Sequence, residues 1–343
     1  MLERTLPPSA SEVGSIRSIA IFGEALIDLR VIAGAAPSTT SRPAAHSYTA
    51  QPGGSPFNVA VGIARLGHRA EFVGRFAEDA LGSILRHHAE QSEVALTWSG
   101  TWHGPTPAAL FDLNEDGSAR YEFHLGDVRE SLFAETVIGA VDAVHFGSVA
   151  SWMPGSGELV LRAVARSRRA GAFVSYDPNI RGMLIRDEDD ARGRVEQAVA
   201  LSDLVKASEE DLAWLYPGLA PAQVAREWLA LGPLAVVVTR GGEGADCYTA
   251  NGSVHGRSEP VEVVDTVGAG DAFMAGLLDG LAEVGALNRT ALTDVLAFDS
   301  VTQRVIDAAC AHAAATCAVP GADPPWRVGS GLSGGGSRAQ NAT

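Results

Sequence analysis

Hydrophobic and polar positions along this chain switch repeatedly between strand and helix periods. Ser18 to Asp28, SIAIFGEALID, is an apolar run that predicts a buried first strand ending in a turn. Residues 33–52 are rich in Ala, Pro, Ser and Thr, carry little periodicity and read as a peripheral excursion. Next, GGSPFNVAVGIARLG takes up the helical period. Ser55 suits the N-cap, Pro56 the first helical position and Gly67 the C-terminal stop, with Phe57, Val61 and Ala64 on one face. Ala70 to Gly74 predicts a second strand, followed by a helix through about Ala89. Residues 107–125 alternate on both sides of Asn114-Glu115-Asp116-Gly117, the pattern of a β-hairpin. From Ile138 onward strands and helices take turns. Strand candidates are Ala143–Phe146, Ala172–Tyr176, Leu204–Lys206 and Ala235–Thr239. Helix candidates are Glu158–Arg169, Ala191–Leu201, Pro221–Leu231 and Ile306–Thr316. Such alternation implies an α/β fold, a parallel doubly wound sheet with helices on both faces.

Composition narrows the function classes. With 46% hydrophobic and 20% charged residues, the 343-residue chain can build a core. A formal net charge of −15 argues against a nucleic-acid or anionic-membrane binder, which needs a basic surface. Cys247, Cys310 and Cys317 form no Cys-x-x-Cys pair, so neither a disulfide framework nor a zinc site is expected, and a reducing cytoplasm fits best. No stretch reaches the ~18–20 apolar residues of a membrane span, and the N-terminus lacks an apolar signal core. Lys206 is the sole lysine and sits in LVKAS, which removes a Walker A loop and a protein-kinase reading. Residues 1–16 and the Gly/Ser-rich 328–343 read as flexible tails, with one domain over 17–327. The Gly-x-Ser-x-Gly match at Gly331–Gly335 lacks the flanking strand and helix of a hydrolase elbow.

Candidate chemistry concentrates in Asp265 to Phe273, DTVGAGDAF. The valine-rich Val261–Val264 before it reads as a strand, and Ala272 to Leu281 after it as a helix. A Gly-Ala-Gly turn opening a helix lets backbone N–H groups converge on an anion. Asp271 then has two readings. It is an N-cap, or a carboxylate that takes a proton from a hydroxyl attacking a bound phosphate. Other polar signatures follow predicted strands: Gly23-Glu24 with Asp28, DPNIR (177–181), KASEED (206–211) and TRGGEG (239–244). In a parallel sheet, ligands bind outside these carboxyl ends.

Together these motifs resemble the ribokinase (pfkB) family of sugar kinases over about residues 18–326. GGSPFNVAVGIARLG matches the family's N-terminal Gly-Gly signature and DTVGAGDAF its C-terminal one. GEALID, FVGRFAEDALG, DPNIR and VTRGGEG agree in order and spacing. The resemblance implies a ribokinase-like three-layer α/β/α sandwich, a mostly parallel central sheet and a small β-sheet lid, from about 29–52 and 107–125. It implies ATP-dependent phosphorylation of a sugar, with no nucleic-acid or membrane partner, and is compatible with a homodimer through the lid. By resemblance Asp271 is the general base, and Gly268, Ala269 and Gly270 with the Asp271 N–H form the anion hole. Asp28, Gly53, Gly54 and Asn58 match sugar-binding positions. Arg181 contacts phosphate or sugar, or pairs with an acid such as Asp187. Thr239, Gly241 and Gly244 match the nucleotide side, where Lys206 and Ser208 are also expected. Asp265 and Thr266 match a monovalent-cation site that uses backbone oxygens, hence K⁺.

Where many relatives carry Asn-x-x-Glu, this chain has Ser208-x-x-Asp211 with Glu210 adjacent, so either acid is a candidate to support Mg²⁺ through water. Gly53-Gly54 is expected to act as a hinge that closes the lid on sugar binding. GEALID, Ser55-Pro56-Phe57 and DPNIR look most like fructokinases, which implies D-fructose as substrate. 2-keto-3-deoxygluconate and ribose are the alternatives, and a non-catalytic sugar or nucleotide sensor is a second class. A dinucleotide oxidoreductase is disfavoured because Phe273 stands where the last Gly of GxGxxG belongs.

Overall fold

The computed structural model describes residues 16–32, 47–113, 119–133 and 136–327. The expected Asn114–Gly117 turn, residues 33–46 of the excursion, residues 1–15 and the 328–343 tail lie outside the described residues. The strands are β1 (Ser18–Phe22), β2 (Leu26–Ile32), β3 (Ser47–Gly53), β4 (Arg69–Val73), β5 (Arg75–Ala77), β6 (Gly100–Trp102) and β7 (Ala108–Leu113). They continue with β8 (Ala119–His124), β9 (Ala143–Gly147), β10 (Phe173–Asp177), β11 (Leu204–Ser208), β12 (Ala235–Thr239), β13 (Ala245–Thr249) and β14 (Gly252–Gly256).

Eight strands form the main sheet in the order β14-β13-β12-β11-β10-β9-β1-β4. The run from β4 to β12 is parallel, and β13 and β14 add an antiparallel edge. Both faces are buried, which is why these strands are apolar at successive positions. Ile19 and Ile21 enter one core, and Ala20 and Phe22 the other. Helices Ser55–Arg65, Ala80–Gln91, Ala269–Glu283, Arg289–Val295 and Asp299–Cys317 cover the first face. Ser148–Trp152, Ser156–Arg169, Glu188–Leu201, Glu209–Leu215 and Pro221–Leu231 cover the second. The result is a three-layer α/β/α sandwich. A separate four-stranded sheet, ordered β3-β2-β7-β8, stands beside it, and β5 pairs with β6.

Four local expectations change. The single run Ser18–Asp28 divides at Gly23, where φ is +155° and a Cβ would lie 2.3 Å from Pro56. β1 enters the main sheet and β2 the second sheet, so Asp28 lies within a strand and not after one. Gly54, at φ 100°, is the N-cap of the following helix, and Ser55 is its first residue. That helix is buried on all sides instead of one, because Gly62 lets it approach Ala275 of the Ala269–Glu283 helix; a Cβ at 62 would sit 2.7 Å from the Ala275 methyl. Val261–Val264 forms no strand. The segment runs with Val263 and Val264 exposed, and the Val264 N–H donates to the Cys317 carbonyl at a helix end (2.8 Å) instead of to a sheet neighbour.

Candidate functional site

The carboxyl ends of the parallel strands meet along one edge. Gly147 and Asp177 are register partners there, as are Ser208 and Thr239. The Ala269–Glu283 helix begins at this edge from Gly268, whose φ of 76° and ψ of 0° lie in the left-handed region. A Cβ at Gly268 would also come within 2.4 Å of the Ala322 methyl. Of the N–H groups at this start, that of Ala269 donates to the Thr266 carbonyl (3.2 Å) and that of Ala272 to Gly268 (2.8 Å). Those of Gly268, Gly270 and Asp271 meet no acceptor among the described residues. The free donors of the expected anion hole are therefore these three, with Ala269 contributing the shape of the turn.

Asp271 is the third residue of the helix, so it is not the N-cap. Its carboxylate is buried and accepts from Asn58 Nδ2 (2.8 Å) and from the Ser55 side chain. Burial raises its pKa, opposed by those two bonds and by the charges of Lys206 and Arg181. Asn58 thus positions Asp271, a role that its helical spacing did not reveal.

Lys206 lies behind the same turn. Its Nζ donates to Asp177 Oδ2 at 2.8 Å, with both side chains almost fully buried. A Cβ at Gly270 would be 3.0 Å from that Nζ, so the absent side chain makes room for the ammonium. Burial disfavours the charged lysine, but the carboxylates of Asp177, Asp211 and Asp271 outweigh this and raise its pKa. Burial pushes Asp177 up to about 6 despite Lys206. On the neighbouring strand His145 is held neutral, lowered to about 3 by burial and by Lys206.

Facing Asp271 from the second sheet is Asp28. Burial and then the Asp271 charge raise its pKa to about 7, against the pull of Arg181. A Cβ at Gly53 would stand 2.1 Å from Asp28 Oδ2, so that glycine leaves the carboxylate its place. At Gly54 a Cβ would lie 2.7 Å from the Glu24 carbonyl, so this glycine is part of the frame at the start of the helix. The Arg181 guanidinium bonds Asn179 Oδ1 (2.6 Å) and the Ile180 carbonyl (3.1 Å), while Asp187 caps its own helix on Asp190 N–H. Buried Glu24 accepts from the Ala150 N–H (3.0 Å), and burial raises its pKa. Glu24 and Asp177 were visible in the sequence as acids directly after apolar strands. What the spacing did not carry was that both would be buried.

The loop before the turn is tied down twice. Asp265 Oδ1 accepts from Val267 N–H and Oδ2 from Gly321 N–H, both at 3.0 Å. Residues 321–327 then run across the Ser55–Arg65 helix, where Arg65 bonds Asp323 and the Pro324 carbonyl (2.7 Å) and Arg327 N–H bonds the Arg65 carbonyl (2.9 Å). Thr266 is exposed. On the other side, Asp211 is fully engaged: Oδ2 accepts from Ser208 N–H and hydroxyl, and Oδ1 from Ile180 N–H (2.7 Å). Glu210 beside it is exposed. The Thr239 hydroxyl reaches the Ala207 carbonyl, Gly241 is open, and Gly244 (φ 98°) abuts the Gly256 carbonyl. Among the described residues, no group of three or more His, Cys, Asp or Glu could hold a metal, and no helix is long and apolar enough to cross a membrane.

Residues 16–327 match the model of the pfkB family carbohydrate kinases. The chain is 39% identical to a fructokinase of Escherichia coli, over 68% of this chain and 78% of that protein. A fructokinase of Klebsiella pneumoniae is 36% identical, with the same coverages of 68% and 78%. Among solved structures, fructokinase with bound ATP from Xylella fastidiosa superposes with a TM-score of 0.75 at 26% identity, covering 89% of this chain and 93% of that one. A buried carboxylate beside free helix N–H groups, on the edge where a parallel sheet binds ligands, agrees with that match: the chain belongs to the pfkB family and is a carbohydrate kinase, a phosphotransferase acting on a sugar hydroxyl.

Proposed function

We propose that the protein is an ATP-dependent fructokinase that converts D-fructose to fructose 6-phosphate. The observation that carries the mechanism is the buried Asp271 carboxylate, fixed by Asn58 at 2.8 Å, one residue from the free N–H of Gly270. The fructokinase relatives at 36% and 39% identity support the choice of sugar. Asp271 takes the proton of the attacking hydroxyl as the new O–P bond forms and the bond to the leaving ADP breaks. The Gly268, Gly270 and Asp271 N–H groups at the helix start receive the charge on the transferring phosphoryl group. Asp28, with Gly53 leaving it room, accepts from sugar hydroxyls, and Gly54, Asn58 and Arg181 complete that wall. Because Asp28 lies on the second sheet, sugar binding draws this sheet toward Asp271 as a lid, built from about 29–52 and 107–125, and excludes water. A homodimer joined through this sheet belongs to the same reading.

Lys206, Ser208, Thr239, Gly241 and Gly244 form the nucleotide side. The acids present fit a Mg²⁺ that arrives on ATP: Glu210 is exposed and free to meet it through water, whereas Asp211 is spent on its capping bonds. Bound there, Mg²⁺ would offset phosphate charge. Backbone oxygens of Asp265 and Thr266 would hold K⁺ behind the turn. The test is a coupled ADP assay over D-fructose, 2-keto-3-deoxygluconate and D-ribose. The highest kcat/KM is expected for fructose. A preference for another sugar would replace the substrate, and no sugar-dependent ADP release would favour a sensor.

A further inference from the structure

A lysine ammonium carries three N–H donors. Lys206 Nζ spends one of them, on Asp177 Oδ2, and its other two meet no acceptor among the described residues. Yet the side chain is only 4% exposed. A buried cation with donors to spare is costly unless a partner arrives. Its setting says where from. Gly270 presents no side chain, and the Nζ lies 3.0 Å from where one would begin. On the same turn, the N–H groups of Gly270 and Asp271 are also free. Neutral His145, on β9 beyond the strand that carries Asp177, adds no rival charge. The charged groups around Lys206 are Asp177 from β10, Asp211 from the Glu209–Leu215 helix and Asp271 from the Ala269–Glu283 helix. Asp211 is already committed to Ser208 and Ile180, and Asp271 to Asn58 and Ser55. That leaves Asp177 as the one that holds the ammonium in place.

We propose that Asp177 is a positioning residue: it aims the Lys206 ammonium at the Gly270 turn, so that the spare N–H groups bond the phosphoryl group during its transfer. This rests on the kinase mechanism above and adds to it a cation supplied from beneath the sheet edge. An ammonium placed by a carboxylate costs no reorganisation when charge develops, which is what makes such a donor effective. Asp177 touches neither substrate and acts through Lys206 alone.

The experiment is a double-mutant cycle on the full-length protein, with kcat and the two KM values read separately. Lys206→Met should cut kcat by about 10²–10³-fold, the range for losing one preorganised donor. Asp177→Asn should cut kcat by about 10²-fold, with the sugar KM nearly unchanged, because the ammonium is no longer held on target. In the Lys206→Met background, Asp177→Asn should then change kcat little. Multiplying losses in the double variant would overturn the proposal, since Asp177 would be acting independently of Lys206. Asp177→Asn leaves a buried ammonium without its counter-charge. Asp177→Glu, which keeps the charge but moves it by one methylene, covers the case in which that variant fails to fold. Wild-type kcat in a folded Asp177→Glu or Asp177→Asn protein would also overturn the proposal. If Asp271→Asn is inactive while the Asp177 variants are not, this inference falls and the kinase mechanism stands. If Asp271→Asn turns over normally, both fall.

Discussion

Replacing Asp271 by Asn tests the chemistry with little disturbance of the fold. The amide is the size of the carboxylate. Its Oδ1 can still accept from Asn58 Nδ2, and its Nδ2 can donate to the Ser55 hydroxyl. What disappears is the capacity to take a proton. Loss of a general base costs about 10²–10⁴-fold in turnover, or about 2.7–5.4 kcal/mol of barrier. Stability should move the other way. Folding raises the Asp271 pKa, so folding favours the protonated acid, and the charged form opposes the native state at every pH above the unfolded value. The neutral amide removes that penalty, so the variant should melt no lower than wild type at neutral pH. Calorimetric titration should find sugar and ATP bound with near-normal affinity, and ATP slightly tighter without the repelling charge. A coupled ADP assay alongside it should find turnover nearly lost. Wild-type-like turnover would refute the base assignment. A variant that unfolds would show that the carboxylate holds the helix start together.

Four further outcomes follow from the same geometry. Asp28 ionises at about 7, so its acceptor form dominates above that pH; kcat/KM for the sugar should fall as pH drops below 7, and Asp28→Asn should flatten that limb of the profile. Gly53→Ala drives a methyl onto the Asp28 carboxylate at 2.1 Å and should raise the sugar KM about 10-fold or more, the worth of a hydrogen bond to a charged group, with the ATP KM unmoved. Gly54→Val meets both a φ of +100° and the Glu24 carbonyl at 2.7 Å, so it should lower the melting temperature as well as activity, and a variant as stable as wild type would contradict this. Potassium should stimulate turnover, and equal rates when a large organic cation replaces it would remove the site at Asp265 and Thr266.

Much of this was legible because two periodicities and two glycine turns are local properties. Ile19 to Phe22 and Ala235 to Val238 announce strands buried on both faces, and DTVGAGDAF announces a glycine turn that opens a helix. The failures come from partners that local pattern cannot show. Val261 to Val264 has strand chemistry, but its Val264 N–H is taken by Cys317, 53 positions later in the chain, and no sheet neighbour receives it. The run through Gly23 reads as one strand, because nothing in its hydropathy says that two sheets divide it. Asn58 has the spacing of a surface helix position, and only packing of its helix against the Ala269–Glu283 helix turns it onto Asp271. Lys206 stood out as the sole lysine, but its pairing joins strands 29 residues apart.

The short segment Gly321–Arg327 has a consequence for how the enzyme comes into being. Gly321 holds the Asp265 carboxylate, and Ala322 lies against Gly268, so the turn proposed to receive phosphate is shaped by residues more than fifty positions downstream. A chain emerging from the ribosome at ~5–20 residues per second can assemble the middle of the main sheet well before that segment exists. β1 needs only β9 to gain its second parallel neighbour. Between the completion of β14 and the emergence of Gly321, the nascent protein therefore has the strands of its main sheet but lacks the clamp on the Gly268 turn. The loop is locked only when residues 321–327 thread back over Arg65. A premature stop in the last few codons before Gly321 would leave a nearly complete sandwich unable to hold that turn.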